Sequence, residues 1–319
     1  MPNSKTTSTL SAPSFTDICL ILFVAAIWSS AFTAIKIAIV EFEPIMVAFS
    51  RVSLGFIFLL SYILILPLFN KKTAWPTGTK NWVLLAFISL LYTAVPFSLI
   101  SWGQNYISAS LTSILMGSSP LIGYIITHFA TKDEKLTPLK FLALALGIIA
   151  VYIAVDVSDS TNINDSYWGM AAILLALLCY AISGMLTRKV DNGSTEKMST
   201  AVLGLGTIFL IPALLISDQL PTNYTDLNMD SVWAIVYLGI FPTGLAYLIR
   251  FYLIVKIGFT AFLTTIFFIP IFGVLLSAWM LNEALTINIF ISLIVVIASL
   301  IVTKIASRQA LKKQLSSQA

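Results

Sequence analysis

The chain has 319 residues, 58% hydrophobic and only 10% charged, with a formal net charge of +4. A soluble domain carries about 25% charged residues, so this composition, with a mean hydropathy of +0.95, excludes an ordinary soluble enzyme or nucleic-acid-binding module. It is the composition of a polytopic membrane protein, and apolar segments alternate with short polar seams from about Asp17 to Thr303.

An apolar stretch of about 20 residues crosses the hydrocarbon core as a helix. Spanning strands are about 10 residues long and alternate in polarity. The stretches here are longer and do not alternate, so the expected fold is all-α. Ten spans are predicted in chain order: 18–39, 44–69, 82–102, 108–129, 138–155, 167–187, 198–216, 232–255, 259–280 and 286–303. Pro44 and Pro138 stand in the first turn of their spans, where the amide lacks a helical partner anyway. The longest seams, 70–81 and 217–230, are too short for a folded soluble domain, which excludes an attached ATPase, kinase or receptor ectodomain. The first segment lacks a small-residue cleavage pattern and reads as a retained span. Cys19 and Cys179 lie inside apolar runs and read as small buried hydrophobes. His128 is the single histidine, and no metal site or cofactor is expected.

Retained Lys and Arg in short loops orient a membrane chain. With the N-terminus inside and ten crossings, every Lys and Arg except Lys36, Arg51 and Arg250 falls on the inner side. Glu41, Glu43, Asp156, Asp159, Asp165, Asp218, Asp226, Asp230 and Glu283 fall outside. Nine or eleven spans would spoil this asymmetry. The basic residues then answer to topology and anionic inner-leaflet lipid, and no nucleic-acid partner is needed.

The two halves echo each other. Pro120-Leu-Ile-Gly123 is answered by Pro270-Ile-Phe-Gly273, Glu134-Lys-Leu-Thr137 by Glu283-Ala-Leu-Thr286, Trp102 by Tyr252 and Thr93 by Thr243. Five spans per half is an odd number, so the second half crosses in the opposite sense. The expected architecture is ten transmembrane helices as two inverted-topology five-helix repeats, residues 17–157 and 165–303, between a cytoplasmic tail (1–16) and a basic one (304–319). Such repeats recur in secondary transporters, with substrate bound near the midplane between them.

Ala26-Ile-Trp-Ser-Ser-Ala-Phe32, then Pro44 and Arg51, then Asn105-Tyr-Ile-Ser-Ala-Ser110, Ser119-Pro120 and Glu134 resemble the drug/metabolite transporter superfamily of the EamA type. Asn282-Glu-Ala-Leu285 carries the likeness into the second copy, so it covers about residues 15–305. The resemblance implies a ten-helix carrier of the bacterial inner membrane, commonly an exporter of amino acids or other small metabolites, with a central cavity lined mainly by helices one, three, four, six, eight and nine. It implies no ATPase and no tightly held cofactor. The chain departs from the pattern at Val255-Lys256, which answers Asn105-Tyr106, and at Cys179-Tyr-Ala-Ile-Ser183, which lacks the tryptophan of Trp28. The cavity is therefore expected to be asymmetric.

Arg250 lies within a span, where a charge is costly and faces protein interior or a water path. The alternative is snorkelling to the headgroups a turn away. Arg51 reads as a partner of Glu41 or Glu43 at the outer edge, and Lys36 as an interfacial anchor. Trp28 with Ser29 sits at midspan, in a cavity role or in helix packing. Trp102, Asn105 and Tyr106 form a polar aromatic end to span three, as a substrate or outer-gate group or as an interfacial belt. Tyr180, Tyr247 and Tyr252 are further cavity candidates. Pro96, Pro120, Pro242 and Pro270 read as bends, since a midspan proline frees a carbonyl four residues back. No acid lies at midspan, so coupling through an intramembrane carboxylate is not supported.

The function expected is a secondary transporter exporting small organic metabolites by alternating access through a central cavity. A channel or a non-transporting scaffold is the alternative, although no repeated selectivity element is visible. A membrane enzyme needs a polar catalytic cluster that one histidine does not supply. The expected partners are a small-molecule substrate and membrane lipid, the chain acting as a monomer or weak homo-oligomer.

Overall fold

A computed structural model describes residues 13–69, 73–130, 137–154, 163–217 and 227–318, and these are helical with no strand among them. The helices are α1 (Phe15–Ala38), α2 (Pro44–Ile65), α3 (Thr79–Gly103), α4 (Ala109–Ile126), α5 (Pro138–Ala154), α6 (Ile163–Thr187), α7 (Thr195–Ile216), α8 (Met229–Ile257), α9 (Thr265–Leu281) and α10 (Ile287–Gln318). Eight of them contain a stretch long and apolar enough to span a membrane. The other two, α5 and α9, are apolar but 17 residues each, about 25 Å of helix against a core of about 30 Å. A short helical turn, Phe259–Phe262, precedes α9, where the sequence reads as one unbroken span.

Local chemistry sets the ends. Ser14 and Asp17 close a reciprocal capping box on α1, with Ser14 N–H donating to Asp17 Oδ2 at 3.0 Å and Asp17 N–H to Ser14 Oγ at 3.3 Å. Pro44 occupies the first turn of α2. Asn282 ends α9 with φ 54°, the left-handed conformation that asparagine tolerates better than most side chains.

The packing pattern repeats under exchange of the halves. Helix α1 packs on α8 and α9, as α6 packs on α3 and α4. Helix α2 packs on α8, as α7 packs on α3. The pairs α2 with α7, α4 with α9 and α5 with α10 pack on each other. That is the contact pattern of two five-helix repeats related by a pseudo-twofold axis.

Contact registers give the directions. Ser292 Oγ donates to Ala150 O at 2.6 Å and Ser299 Oγ to Ala143 O at 2.7 Å, so α5 and α10 are antiparallel. The α3–α6 contacts join Asn81 to Asp191, Tyr92 to Tyr180 and Gly103 to Gly169, again antiparallel. Ser89 and Thr93 of α3 meet Val202 and Gly206 of α7, a parallel pair. Arg51 and Gly55 of α2 meet Gly239 and Thr243 of α8, the matching parallel pair. These senses agree with strict alternation of direction along the chain, and they place the second repeat opposite to the first.

Both halves carry the same interruption. Helix α3 widens over Leu90–Ala94, where Val95 N–H bonds Leu90 O, five residues back. Helix α8 widens over Gly239–Leu245, where Ala246 N–H bonds Phe241 O. Such π-type segments are frequent at functional sites. Each one sits beside a glycine of the parallel neighbour, Thr93 against Gly206 and Thr243 against Gly55, which lets the backbones approach closely. Pro96 and Pro242 fall at these segments, and Pro270 inside α9. Pro120 follows a break at Ser118.

Candidate functional site

A cavity of about 320 Å³ lies between α3, α6, α7 and α8, at the end of the bundle that carries Lys80, Arg188, Lys189 and Lys197. Its lip is formed by Gly184, Thr187 and Arg188, which are exposed. Leu85, Ile88, Met198 and Val202 make apolar walls, and Tyr92, Tyr247, Arg250 and Phe251 line the deep part.

The floor is a layer of tyrosines. The ring of Tyr92 meets Tyr180 edge-on at 5.4 Å and Tyr247 at 6.1 Å. The widened segment of α3 carries Tyr92, and its ring stands between Tyr180 of α6 and Tyr247 of α8. Arg250 donates from Nη1 to the Tyr92 hydroxyl at 3.3 Å. Arg250 also lines the cavity.

Arg51 departs from expectation. It is 7% exposed, its Nε donates to Thr243 Oγ1 at 2.9 Å, and its guanidinium lies 4.0 Å over the Phe97 ring. No carboxylate of the described residues is within 4.0 Å of it, so it does not pair with Glu41 or Glu43. The close packing of α2 on the widened part of α8 turns it inward. Tyr92, Tyr180 and Tyr247 are within electrostatic reach of its charge. Tyr92 was not a candidate from sequence. Its only signal there was its place next to Thr93, one of the residues echoed in the second half.

Trp28 and Ser29 fasten α1 to the second half. Trp28 Nε1 donates to Pro242 O at 3.2 Å and its ring stands edge-on to Phe262 at 5.8 Å. Ser29, fully buried, donates to Ala25 O at 2.6 Å and to Ile269 O at 3.0 Å. Pro242 answers the position of Tyr92, so the tryptophan contact is the counterpart of the Tyr180–Tyr92 contact. Trp28 touches α8, which borders the cavity, and Ser29 touches α9, and neither lines the cavity.

The opposite end is closed. Glu283 reaches over the N-terminus of α4 and accepts from Ala109 N–H at 2.8 Å and Ser110 N–H at 3.0 Å, where a helix start favours negative charge. Ser110 and Ser277 share a hydrogen bond of 2.6 Å, and a side-chain carbon on Gly117 would stand 2.6 Å from the Pro270 ring. Lys36, expected as an interfacial anchor, donates to the carbonyls of Gln104 and Ile107, thereby holding the turn between α3 and α4. The side-chain amide of Gln104 is fully buried and has no hydrogen-bond partner among the described residues. Trp102, Asn105 and Tyr106 sit on this turn, exposed, with the two rings 4.8 Å apart. They are remote from the cavity. Glu134, the counterpart of Glu283, lies outside the described residues.

Tyr252 also lies away from the cavity. Its hydroxyl accepts from Lys256 Nζ at 3.0 Å, and Lys256 pairs with Asp17 at 2.8 Å, which ties the start of α1 to the end of α8. In the turn between α6 and α7, Asp191 accepts from Asn81 Nδ2 at 2.7 Å and lies 3.5 Å from Lys80. The Asn81 hydrogen bond, with the Lys80 charge, holds its carboxyl below the usual carboxylate range.

The EamA-like transporter family matches residues 16–155 and 167–305, once per half. The chain belongs to the EamA-like transporter family. It is 22% identical over 279 residues to YoaV of Bacillus subtilis, named an uncharacterized transporter, covering 86% of this chain and 92% of that protein. It is 23% identical over 298 residues to the protein PagO of Salmonella typhimurium, covering 90% and 92%. A solved crystal structure superposes with a TM-score of 0.62 at 16% identity, over 92% of this chain and 99% of that one, a likeness of fold. The match once per half agrees with the packing pattern that repeats between the halves.

Proposed function

We propose that this EamA-like chain is a secondary carrier that exports small organic metabolites such as amino acids from the bacterial cytoplasm. The cavity between α3, α6, α7 and α8 takes up solute on the basic side, which is the cytoplasmic side, so that both termini are cytoplasmic. Alternating access follows when the Glu283 and Lys36 closure opens and the half of the bundle now carrying the cavity closes.

The observation that carries this reading is the difference between the two ends of a duplicated bundle. A cavity lies between α3, α6, α7 and α8 at the basic end, while at the other end α4 meets α9, with Glu283 on the start of α4 and Ser110 bonded to Ser277. Two related repeats whose packings can exchange supply the bistable element that alternating access requires. The partnerless Gln104 amide supports the same reading, because a buried amide without a partner costs about 1–3 kcal/mol and gains partners when the outer end hydrates. A continuous open pore is disfavoured by the closure of Ser110 on Ser277.

The test is counterflow in proteoliposomes against labelled amino acids, nucleosides and organic cations. Saturable flux of at least one class is expected. Absence of saturable flux for every class from folded, reconstituted protein refutes the carrier reading.

A further inference from the structure

We propose that the solute is a small organic anion with an apolar body, held through its carboxylate by Arg250 and Tyr92 in the cavity of α3, α6, α7 and α8. This rests on the carrier reading above and narrows it to a chemical class.

The cavity lining contains Arg188 and Arg250 and neither Asp nor Glu. Behind its tyrosine floor lies a further cation, Arg51, bonded to Thr243. Thr243 and Arg250 are seven residues apart on α8, about 10 Å along the axis, with Tyr247 between them. The three arginines therefore form a graded series from lip to interior. Among the described residues, neither Arg51 nor Arg250 has a carboxylate within 4.0 Å, the ion pairs there being Lys80–Asp191 and Lys256–Asp17. A charge at this depth is costly unless it pairs or faces a solute path, so an anionic solute completes what the protein leaves open.

The remaining chemistry selects the kind of anion. A guanidinium has five N–H donors in a fork that matches a carboxylate, and Arg250 commits one contact to the Tyr92 hydroxyl. Leu85, Ile88, Met198, Val202 and Phe251 supply apolar wall that buries an apolar body, and Thr187, Thr195 and Ser199 add hydroxyls to the lining. A volume of about 320 Å³ is at the small end of ligand sites and suits one ring with a short chain. A cationic solute meets like charges and no counter-carboxylate.

The experiment uses the full chain, purified and reconstituted, with four probes that share a phenyl body: phenylpyruvate, phenylalanine, phenethylamine and phenyl phosphate. Saturable counterflow is measured in liposomes, and affinity in detergent from probe-dependent thermal midpoints. Of the first three, the anion phenylpyruvate is expected to bind most tightly, the zwitterion phenylalanine less so because its ammonium meets like charge, and phenethylamine least. Arg250→Gln should weaken both carboxylates roughly 10- to 100-fold, the loss of one charge-assisted contact, with Arg250→Lys intermediate and the probe-free midpoint preserved. Arg51→Gln should weaken them more than Arg51→Lys, which keeps the charge.

Flux of phenethylamine with the carboxylates silent overturns the proposal and leaves the carrier reading standing. Carboxylate binding without saturable flux of any probe supports the site and overturns the carrier reading. Equal weakening of all four probes by Arg250→Gln assigns Arg250 a structural role and overturns the proposal. Tighter binding of phenyl phosphate than of phenylpyruvate replaces the carboxylate with a phosphate and overturns it as stated. Neither binding nor flux of any probe overturns both.

Discussion

Replacing Glu283 by Gln tests whether the closed end is held by this one carboxylate. Glu283 accepts two backbone N–H groups at the start of α4, at 2.8 and 3.0 Å, and is within electrostatic reach of Lys36. Glutamine keeps one acceptor oxygen and turns an NH₂ toward the second N–H. The loss is one charge-assisted hydrogen bond, about 1.5–3 kcal/mol, and part of the favourable charge at a helix start, about 0.3–1 kcal/mol. About 2–4 kcal/mol removed from the closed form alone shifts its balance with an open form roughly 30- to 900-fold. The assay is the labelling rate of a cysteine at Ser277, which is buried against Ser110, in a background lacking Cys19 and Cys179, with a membrane-impermeant maleimide added to the side that Glu41 faces. The rate should rise by more than tenfold in Glu283→Gln. An unchanged rate in folded protein refutes the closure argument.

The close contacts give further expectations. Gly55→Val places a side chain where even a Cβ stands 2.6 Å from Thr243 Cγ2, so overpacking should cost about 1–3 kcal/mol, read as a lowered thermal midpoint in detergent. Asn282→Val puts a β-branched residue at φ 54° and should cost about 1–2 kcal/mol, whereas Asn282→Gly should be tolerated in the same measurement. Asp191 has a carboxyl lowered from an ordinary value of 3.8. The native state therefore binds this proton less readily than the unfolded one. Its stabilisation of the α6–α7 turn is fully present above that value and is lost as pH falls below it, through the lowered native value. Amide exchange at Ser194, whose N–H bonds Ala74 O at 2.8 Å, should speed up below about pH 4 in the wild type, and Asp191→Asn should remove that pH step.

Sequence alone determined the helical membrane class, because apolar run length and charge density are set by residue order without reference to partners. It also determined the duplication, since Thr93 and Thr243, or Pro120 and Pro270, keep their spacing in the linear chain, and five spans per half forces the second to invert. Helix ends were legible where a proline writes them, as at Pro44 and Pro138, whereas the Ser14 and Asp17 cap starts α1 three residues before the expected 18. Only the tertiary structure decided which midspan polar groups meet. Arg51 looked like a partner for nearby glutamates, but the packing of α2 against the π-type segment of α8 sends it to Thr243 and Phe97. Tyr92 gained its place because the widened turn of α3 sets it between Tyr180 and Tyr247, and a one-residue widening leaves no mark in apolar periodicity. Tyr106 and Tyr252 share their residue type with the cavity lining, but they stand outside it, as do Trp102 and Asn105. In hydrocarbon, apolar and aromatic side chains satisfy lipid and protein alike, so the sequence marks a span while helix contacts decide which face of it lines the cavity.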